Sequence, residues 1–135
     1  MNIVTQVAAL VGALTYLGAA PVEMFFFGRP GAMRFLHVEL SSQGNLEDVR
    51  MWAFVVGCRN LLVGVGTLVG LAIFHAGDEV VGEAVVLTSC VYMLLASLAM
   101  GVADALGYWR PRGGSVLGTA ASSLPPLVAL VAVAA

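Results

Sequence analysis

The chain has 135 residues, of which 60% are hydrophobic and only 10% are charged, and its formal net charge is −2. Soluble domains carry about 25% charged residues, so this composition argues against a soluble protein. The small net charge and the absence of any basic run argue against nucleic-acid binding, which needs clustered positive charge. We therefore expect the lipid bilayer to be the main partner of this chain.

Four long apolar stretches fill most of the chain, and we call them the first to fourth spans in chain order. They cover about residues 3–27, 51–74, 80–106 and 116–135. A helix rises about 1.5 Å per residue, so roughly 20 residues cross a bilayer core of about 30 Å. Each stretch reaches that length. The sequence predicts an all-α fold, a transmembrane four-helix bundle that forms one domain over residues 1–135.

The loop at residues 28–50 is the only sizeable segment between spans. Pro30 and Gly31 end the first helix, because proline removes a backbone donor and glycine disfavours continuation. Residues 32–40 then mix apolar side chains with Arg34 and other polar ones. This mixture predicts a short amphipathic helix that lies in the membrane interface.

The arginines outside the spans predict the orientation of the chain. They lie in loops 28–50 and 107–115, at Arg29, Arg34, Arg50, Arg110 and Arg112. The loop between the second and third spans has none, and neither terminus has one. Arginine-rich short loops stay in the cytoplasm. We therefore predict a multi-pass protein of the cell (plasma) membrane with both loops cytoplasmic and both termini outside.

Charged side chains within the spans define a candidate site. Glu23, Arg59 and Asp104 all fall in the cytoplasmic half of the membrane when the spans alternate in direction. A lone charge at mid-membrane costs about 2.5–3.5 kcal/mol, so such residues usually turn inward and pair. Arginine does not discharge by losing its proton. We predict that Arg59 pairs with Glu23, Asp104 or both, with Asn60 and Tyr16 as neutral partners.

Two interpretations of this cluster stay open. It is either an ion-pair clasp that fixes helix register, or a site for a proton or a small ligand, because two carboxylates and one arginine leave excess negative charge. Glycine pairs of the GxxxG type occur at Gly66–Gly70 and Gly114–Gly118. Such pairs allow helices to approach closely, either within one bundle or in a homo-oligomer.

Other chemistry has little support in the sequence. Cys58 and Cys90 are single thiols without a CxxC motif, and His37 and His75 lie in loops rather than in spans. These positions disfavour a disulfide oxidoreductase and paired haem ligation. No nucleotide, metalloprotease or hydrolase motif is present. We expect no enzyme, no cofactor and no metal site.

Short motifs at the start of the chain resemble a known family. Tyr16 is followed by Glu-Met-Phe at 23–25, Gly-Arg-Pro at 28–30 and Arg-Phe at 34–35. This order is similar to the opening of the DUF1304 family of small bacterial membrane proteins. Leu-Pro at 124–125, before an apolar tail, resembles the closing segment of that family. The resemblance implies a four-helix membrane protein, and the activity of the family is undefined.

The second span departs from the family pattern. Gly57 and Asn60 match the family's Asn-Gln-Gly-x-Tyr-Asn-Gly run, but Val55 and Val56 replace its Asn-Gln, and Arg59 stands at its tyrosine. The departure implies a remodelled polar site in which Arg59 is the main donor.

Two functions remain as the main hypotheses. The first is an accessory or structural subunit of a membrane assembly, with other membrane proteins or further copies of the chain as partners. The alternative is a small-molecule or proton-coupled transporter that uses the charged cluster. A carrier usually keeps its essential carboxylate near the midplane, whereas Glu23 and Asp104 lie near one edge, so the sequence favours the subunit.

Overall fold

The structure is a computed structural model that describes residues 1–36 and 46–134. The described residues form helices without strands, which confirms the predicted all-α fold. The helices are α1 (Ile3–Phe25), α2 (Pro30–Leu36), α3 (Leu46–Ala76), α4 (Glu79–Ala105) and α5 (Val116–Ala132). The predicted apolar stretches agree with α1, α3, α4 and α5, although α3 begins at Leu46, before the predicted residue 51.

The four long helices close into a ring. Helix α1 packs on α3, α3 on α4, α4 on α5 and α5 on α1, while α1 and α4 meet only across the diagonal. The result is a four-helix bundle with α2 as an additional short helix. We call the end where α1 and α4 finish and α3 and α5 begin the arginine-rich end, because the arginines of both longer connections lie there.

A tight turn joins α3 to α4 at the opposite end of the bundle. Gly77 adopts a φ of 114°, a conformation that favours glycine. Asp78 then caps α4, since its side chain accepts a hydrogen bond of 3.1 Å from the Val81 amide. These two residues end one helix and start the next within a few positions, so α3 and α4 become antiparallel neighbours.

Three helices are long and apolar enough to cross a bilayer. They are α1, residues 49–76 of α3, and α4, while α5 is apolar but has 17 residues. This finding suggests a membrane protein. The predicted interfacial helix over 32–40 corresponds to α2, which ends at Leu36, and residues 37–40 lie outside the described part of the chain.

Small residues in the core bring the helices close together. Ala9, Ala13 and Ala20 of α1 are buried on one face. Opposite them, a Cβ on Gly57 would lie 2.8 Å from the Ala20 carbonyl oxygen, and one on Gly64 would lie 3.1 Å from that of Ala13. Because a Cβ would meet backbone there, glycine sets the distance between α1 and α3.

The glycines of the Gly66–Gly70 pair differ in their surroundings. A Cβ on Gly70 would lie 2.9 Å from methyl groups of Val85 and Val86, so Gly70 packs against α4. A Cβ on Gly66 would meet only Ser89 Oγ, at 3.9 Å. Gly70 therefore serves packing within the bundle, whereas Gly66 leaves a shallow notch on α3.

Candidate functional site

The structure places four of the five predicted site residues in three separate groups. Tyr16 joins α1 to α4, Glu23 and Asn60 join α1 to α3, and Asp104 joins α4 to the loop before α5. Arg59 belongs to none of these groups. The prediction of one shared cluster is therefore corrected to a set of distinct contacts.

Tyr16 crosses the centre of the bundle. Its hydroxyl donates to the Met93 carbonyl over 2.6 Å and lies 2.8 Å from Ser97 Oγ, which itself lies 2.9 Å from the same carbonyl. Tyr16 is 6% exposed and Met93 is fully buried. A buried hydroxyl needs a partner in an apolar interior, and this network supplies it without any charged group.

Glu23 and Asn60 meet at the arginine-rich end. Asn60 Nδ2 donates to Glu23 Oε2 over 2.6 Å, and both side chains are half-buried. Glu23 follows Tyr16 by seven residues, so both lie on one face of α1. Asn60 follows Gly57, where the missing Cβ lets α1 approach. The carboxylate keeps further acceptor capacity, which suits a proton or a cation.

Arg59 lies on the outer surface of α3, where its side chain is exposed. Adjacent helical residues differ in direction by about 100°, so an inward Asn60 turns Arg59 away from Glu23. Among residues 1–36 and 49–134, whose side chains the structure describes, the one ion pair joins the Met1 amino group to Glu83 over 2.9 Å. The predicted pairing of Arg59 with Glu23 or Asp104 is absent from that part of the chain.

Asp104 stabilises the connection between α4 and α5. Its side chain is buried and accepts from the Gly113 amide at 2.7 Å, the Ser115 amide at 2.9 Å and Ser115 Oγ at 2.8 Å. The negative charge also complements the N-terminus of α5. Sequence reasoning missed Ser115, which precedes α5 but makes no side-chain capping bond, because its hydroxyl donates to Asp104.

A groove lies beside Asp104, between the end of α4 and the start of α5. Its volume is about 490 Å³, and its lining includes Gly101, Ala105, Arg112, Thr119 and Ala120. Thr119 Oγ1 is the one buried side-chain polar atom in the described residues without a hydrogen-bond partner. The sequence analysis did not identify this groove, because its walls come from two helices and a loop.

Metal chemistry has no prepared site in the part of the chain that the structure describes. No three histidine, cysteine, aspartate or glutamate side chains there lie close enough to hold an ion. Cys58 and Cys90 are free thiols, and Cys90 is buried in the core.

Comparison with protein families identifies the chain. A family model described as "Protein of unknown function (DUF1304)" matches residues 9–134, so the chain belongs to the DUF1304 family. This match confirms the resemblance of the Tyr16, Glu-Met-Phe and Gly-Arg-Pro motifs. No curated protein and no solved structure gives a significant match.

Proposed function

We propose that this member of the DUF1304 family is a multi-pass plasma-membrane protein that serves as an accessory subunit of a membrane assembly. Its four long helices cross the bilayer, both termini face outward, and the arginine-rich end faces the cytoplasm. The apolar helices and the positions of the loop arginines support this arrangement. No catalytic role is part of the proposal.

The exposed guanidinium of Arg59 carries the proposal. Trp52 lies seven residues earlier on α3, which is about 10 Å along the helix axis, and is 62% exposed. Exposed tryptophans favour the membrane interface. With Trp52 at the cytoplasmic interface, the backbone of Arg59 lies on the hydrocarbon side of the headgroups. A carboxylate from outside the bundle would stabilise a charge at that depth.

A docking face on α3 fits a helix of another protein. Trp52, Arg59 and Gly66 repeat every seven residues and so share one side of α3. We define these three residues as the docking face. Gly66 leaves a shallow notch, where a Cβ would have only Ser89 Oγ within 4 Å, and Arg59 selects a carboxylate. The partner is a transmembrane helix of a different protein with Asp or Glu at the depth of Arg59.

The test is the mass of the assembly in mild detergent. We express three proteins in the native host: the wild-type chain, Arg59→Leu and the control Arg34→Leu. Each is purified, and light scattering measures the protein mass of its assembly. Arg34 is an exposed arginine of α2 and is not one of the three residues of the docking face. We expect wild type and Arg34→Leu to share a mass above that of the 14.0 kDa protomer. Arg59→Leu should fall to the protomer mass.

Photo-crosslinking identifies the partner. A crosslinker at Trp52 should give a product with a different protein, and one at Val128 of α5, on another side of the bundle, should not. A wild-type chain at protomer mass contradicts the proposal. So does a product of twice the protomer mass, which indicates a homo-oligomer, or an assembly that survives in Arg59→Leu.

The carrier remains a second candidate because of one observation. Glu23 has one hydrogen-bond donor within the described residues, Asn60, and stays partly accessible at the arginine-rich end. A carrier predicts that an organic cation such as tetraphenylphosphonium releases a proton from the purified protein. Glu23→Gln should abolish that release. Unchanged proton release in Glu23→Gln, or none in wild type, contradicts the carrier.

The orientation is tested separately. Alkaline phosphatase is active only outside the cytoplasm, so fusions after Ala132 and after Gly77 report the sides of the membrane on which α5 and α3 end. We expect activity at both positions and none for a fusion at Gly113. Activity at Gly113 contradicts the proposed arrangement.

A further inference from the structure

The groove between α4 and α5 has two chemically different parts. Its walls are formed largely by small or apolar residues, among them Gly101, Ala105, Val116 and Ala120. Of its polar members, Asp104, Arg112 and Ser115 lie toward the arginine-rich end, and Thr119 lies one turn further along α5. The groove is therefore apolar along the helices, and at its mouth it has the exposed guanidinium of Arg112 and the buried carboxylate of Asp104.

Arg112 is available for a ligand. Its side chain is exposed, and in the described residues it makes no ion pair, although Asp104 lines the same groove. Asp104 instead accepts three hydrogen bonds from Gly113 and Ser115 and is 5% exposed. Because those donors already satisfy the carboxylate, the guanidinium of Arg112 keeps its full set of donors.

Thr119 places a second polar group inside the groove. Its Oγ1 is buried and without a partner, although threonine hydroxyls usually donate or accept a hydrogen bond. Thr119 lies four residues after Ser115, or about 6 Å further along α5. An occupant of the groove thus meets a cation at the mouth and lies beside a buried, unpartnered hydroxyl one turn further along α5.

We propose that this groove binds one anionic phospholipid of the cytoplasmic leaflet. The inference rests on the proposed membrane placement and does not depend on the docking face. The lipid phosphate binds Arg112, the Thr119 side chain turns its hydroxyl toward an ester carbonyl, and an acyl chain lies along Gly101, Val116 and Ala120. Arginine suits phosphate because its planar fork offers paired donors. The volume of about 490 Å³ lies within the range of small-molecule sites.

Native mass spectrometry of the full chain tests the lipid. The protein is released from detergent micelles that contain phosphatidylglycerol or phosphatidylcholine at equal concentration. We expect one tightly bound phosphatidylglycerol and weaker binding of phosphatidylcholine. Arg112→Gln should lower the affinity about tenfold, because it removes charge-assisted hydrogen bonds. The matched control Arg34→Gln, an exposed arginine of α2, should leave it unchanged.

A second variant tests the apolar part of the groove. Ala120 is exposed and lines the groove, so Ala120→Phe should fill it and reduce binding of phosphatidylglycerol. Circular dichroism and a single elution peak verify folding, and Ala105→Leu on the α4 wall replaces the variant if it fails that check.

Three results overturn the lipid site. One is equal affinity in Arg112→Gln and Arg34→Gln. Another is equal binding of both lipids. The third is displacement of phosphatidylglycerol by excess inorganic phosphate, which indicates a site for the free anion. Loss of the lipid with an unchanged assembly mass leaves the proposed subunit role standing, so the two proposals fail separately.

Discussion

The seam between α1 and α3 and the seam between α4 and α5 use a carboxylate in different ways. Glu23, in the first seam, is half-buried and bonds one side-chain amide. Asp104, in the second, is buried and bonds two backbone amides and a hydroxyl. A carboxylate surrounded by backbone donors fixes a loop. One that keeps spare acceptor capacity remains available for a ligand.

The same seams differ in how closely the helices approach. At Gly57, the α1–α3 seam brings a glycine against the backbone of Ala20. At Gly101, the α4–α5 seam faces the Thr119 side chain, and a groove opens beside it. The seam with the accessible carboxylate is thus tightly packed, and the seam with the satisfied carboxylate is open.

The largest expected loss of stability comes from removing the carboxylate of Asp104, and the matched change at Glu23 is expected to cost less. Asp104→Leu leaves two backbone amides and a hydroxyl without their partner, and each unsatisfied buried group costs about 1–3 kcal/mol. We expect a loss of about 3 kcal/mol or more in the free energy of unfolding. Glu23→Leu deprives only the half-buried Asn60 amide, so about 1 kcal/mol is expected.

Titration with sodium dodecyl sulfate in mixed micelles measures both losses. The fluorescence of Trp52 and Trp109 follows unfolding. Equal losses for Asp104→Leu and Glu23→Leu would remove the distinction between a structural and an available carboxylate.

Replacement of one glycine in each seam tests the difference in packing. In Gly57→Ala the new methyl group collides with the Ala20 carbonyl oxygen, so α1 and α3 must separate. Overpacking of this kind costs roughly 1–3 kcal/mol. In Gly101→Ala the methyl group lies 3.2 Å from the Thr119 Cγ2 atom, which a small side-chain movement relieves. The same titration should rank Gly57→Ala as clearly less stable, and the reverse order would contradict the described packing.

The smallest expected effect is that of Glu23→Gln. A glutamine oxygen still accepts from Asn60 Nδ2, so we expect the unfolding free energy to change by no more than about 0.5 kcal/mol. Thermal denaturation followed by circular dichroism measures this difference. Asp104→Asn serves as the comparison. The side-chain nitrogen of the new asparagine would face the donors of Gly113 or Ser115, and it cannot accept a hydrogen bond from them. A larger loss for Glu23→Gln than for Asp104→Asn would show that Glu23 is the structural carboxylate.

The sequence predicts helix length better than helix rotation. The apolar runs predict the four long helices, because an apolar run of about 20 residues is typical of a helix long enough to cross a bilayer. Arg59 and Asn60 lie at nearly the same height along the axis of α3, yet their side chains point in directions that differ by about 100°. Which of them faces α1 depends on Gly57 and Gly64, whose contacts with Ala20 and Ala13 set the rotation of α3.

The contacts of Asp104 were beyond the sequence for another reason. The expectation was a partner on a neighbouring span, because charges in spans usually pair across helices. The partners instead come from the connection to α5, and two of them are backbone amides, which every residue except proline carries. Which backbone amides reach Asp104 depends on the conformation of the folded loop, and the sequence does not show that these are the amides of Gly113 and Ser115.

The hydrogen bond from Tyr16 to Met93 has a consequence for biosynthesis. Its acceptor lies on the third long helix to be made, across the diagonal of the ring. Until that helix leaves the ribosome, the phenol on the first one has no native acceptor and must use water or a temporary neighbour. Helices α1 and α3 can associate early through their glycines, but the native interior forms only when α4 arrives. In Tyr16→Phe the side chain has no hydroxyl, so α1 would no longer carry a polar group that lacks its native acceptor until α4 is synthesised.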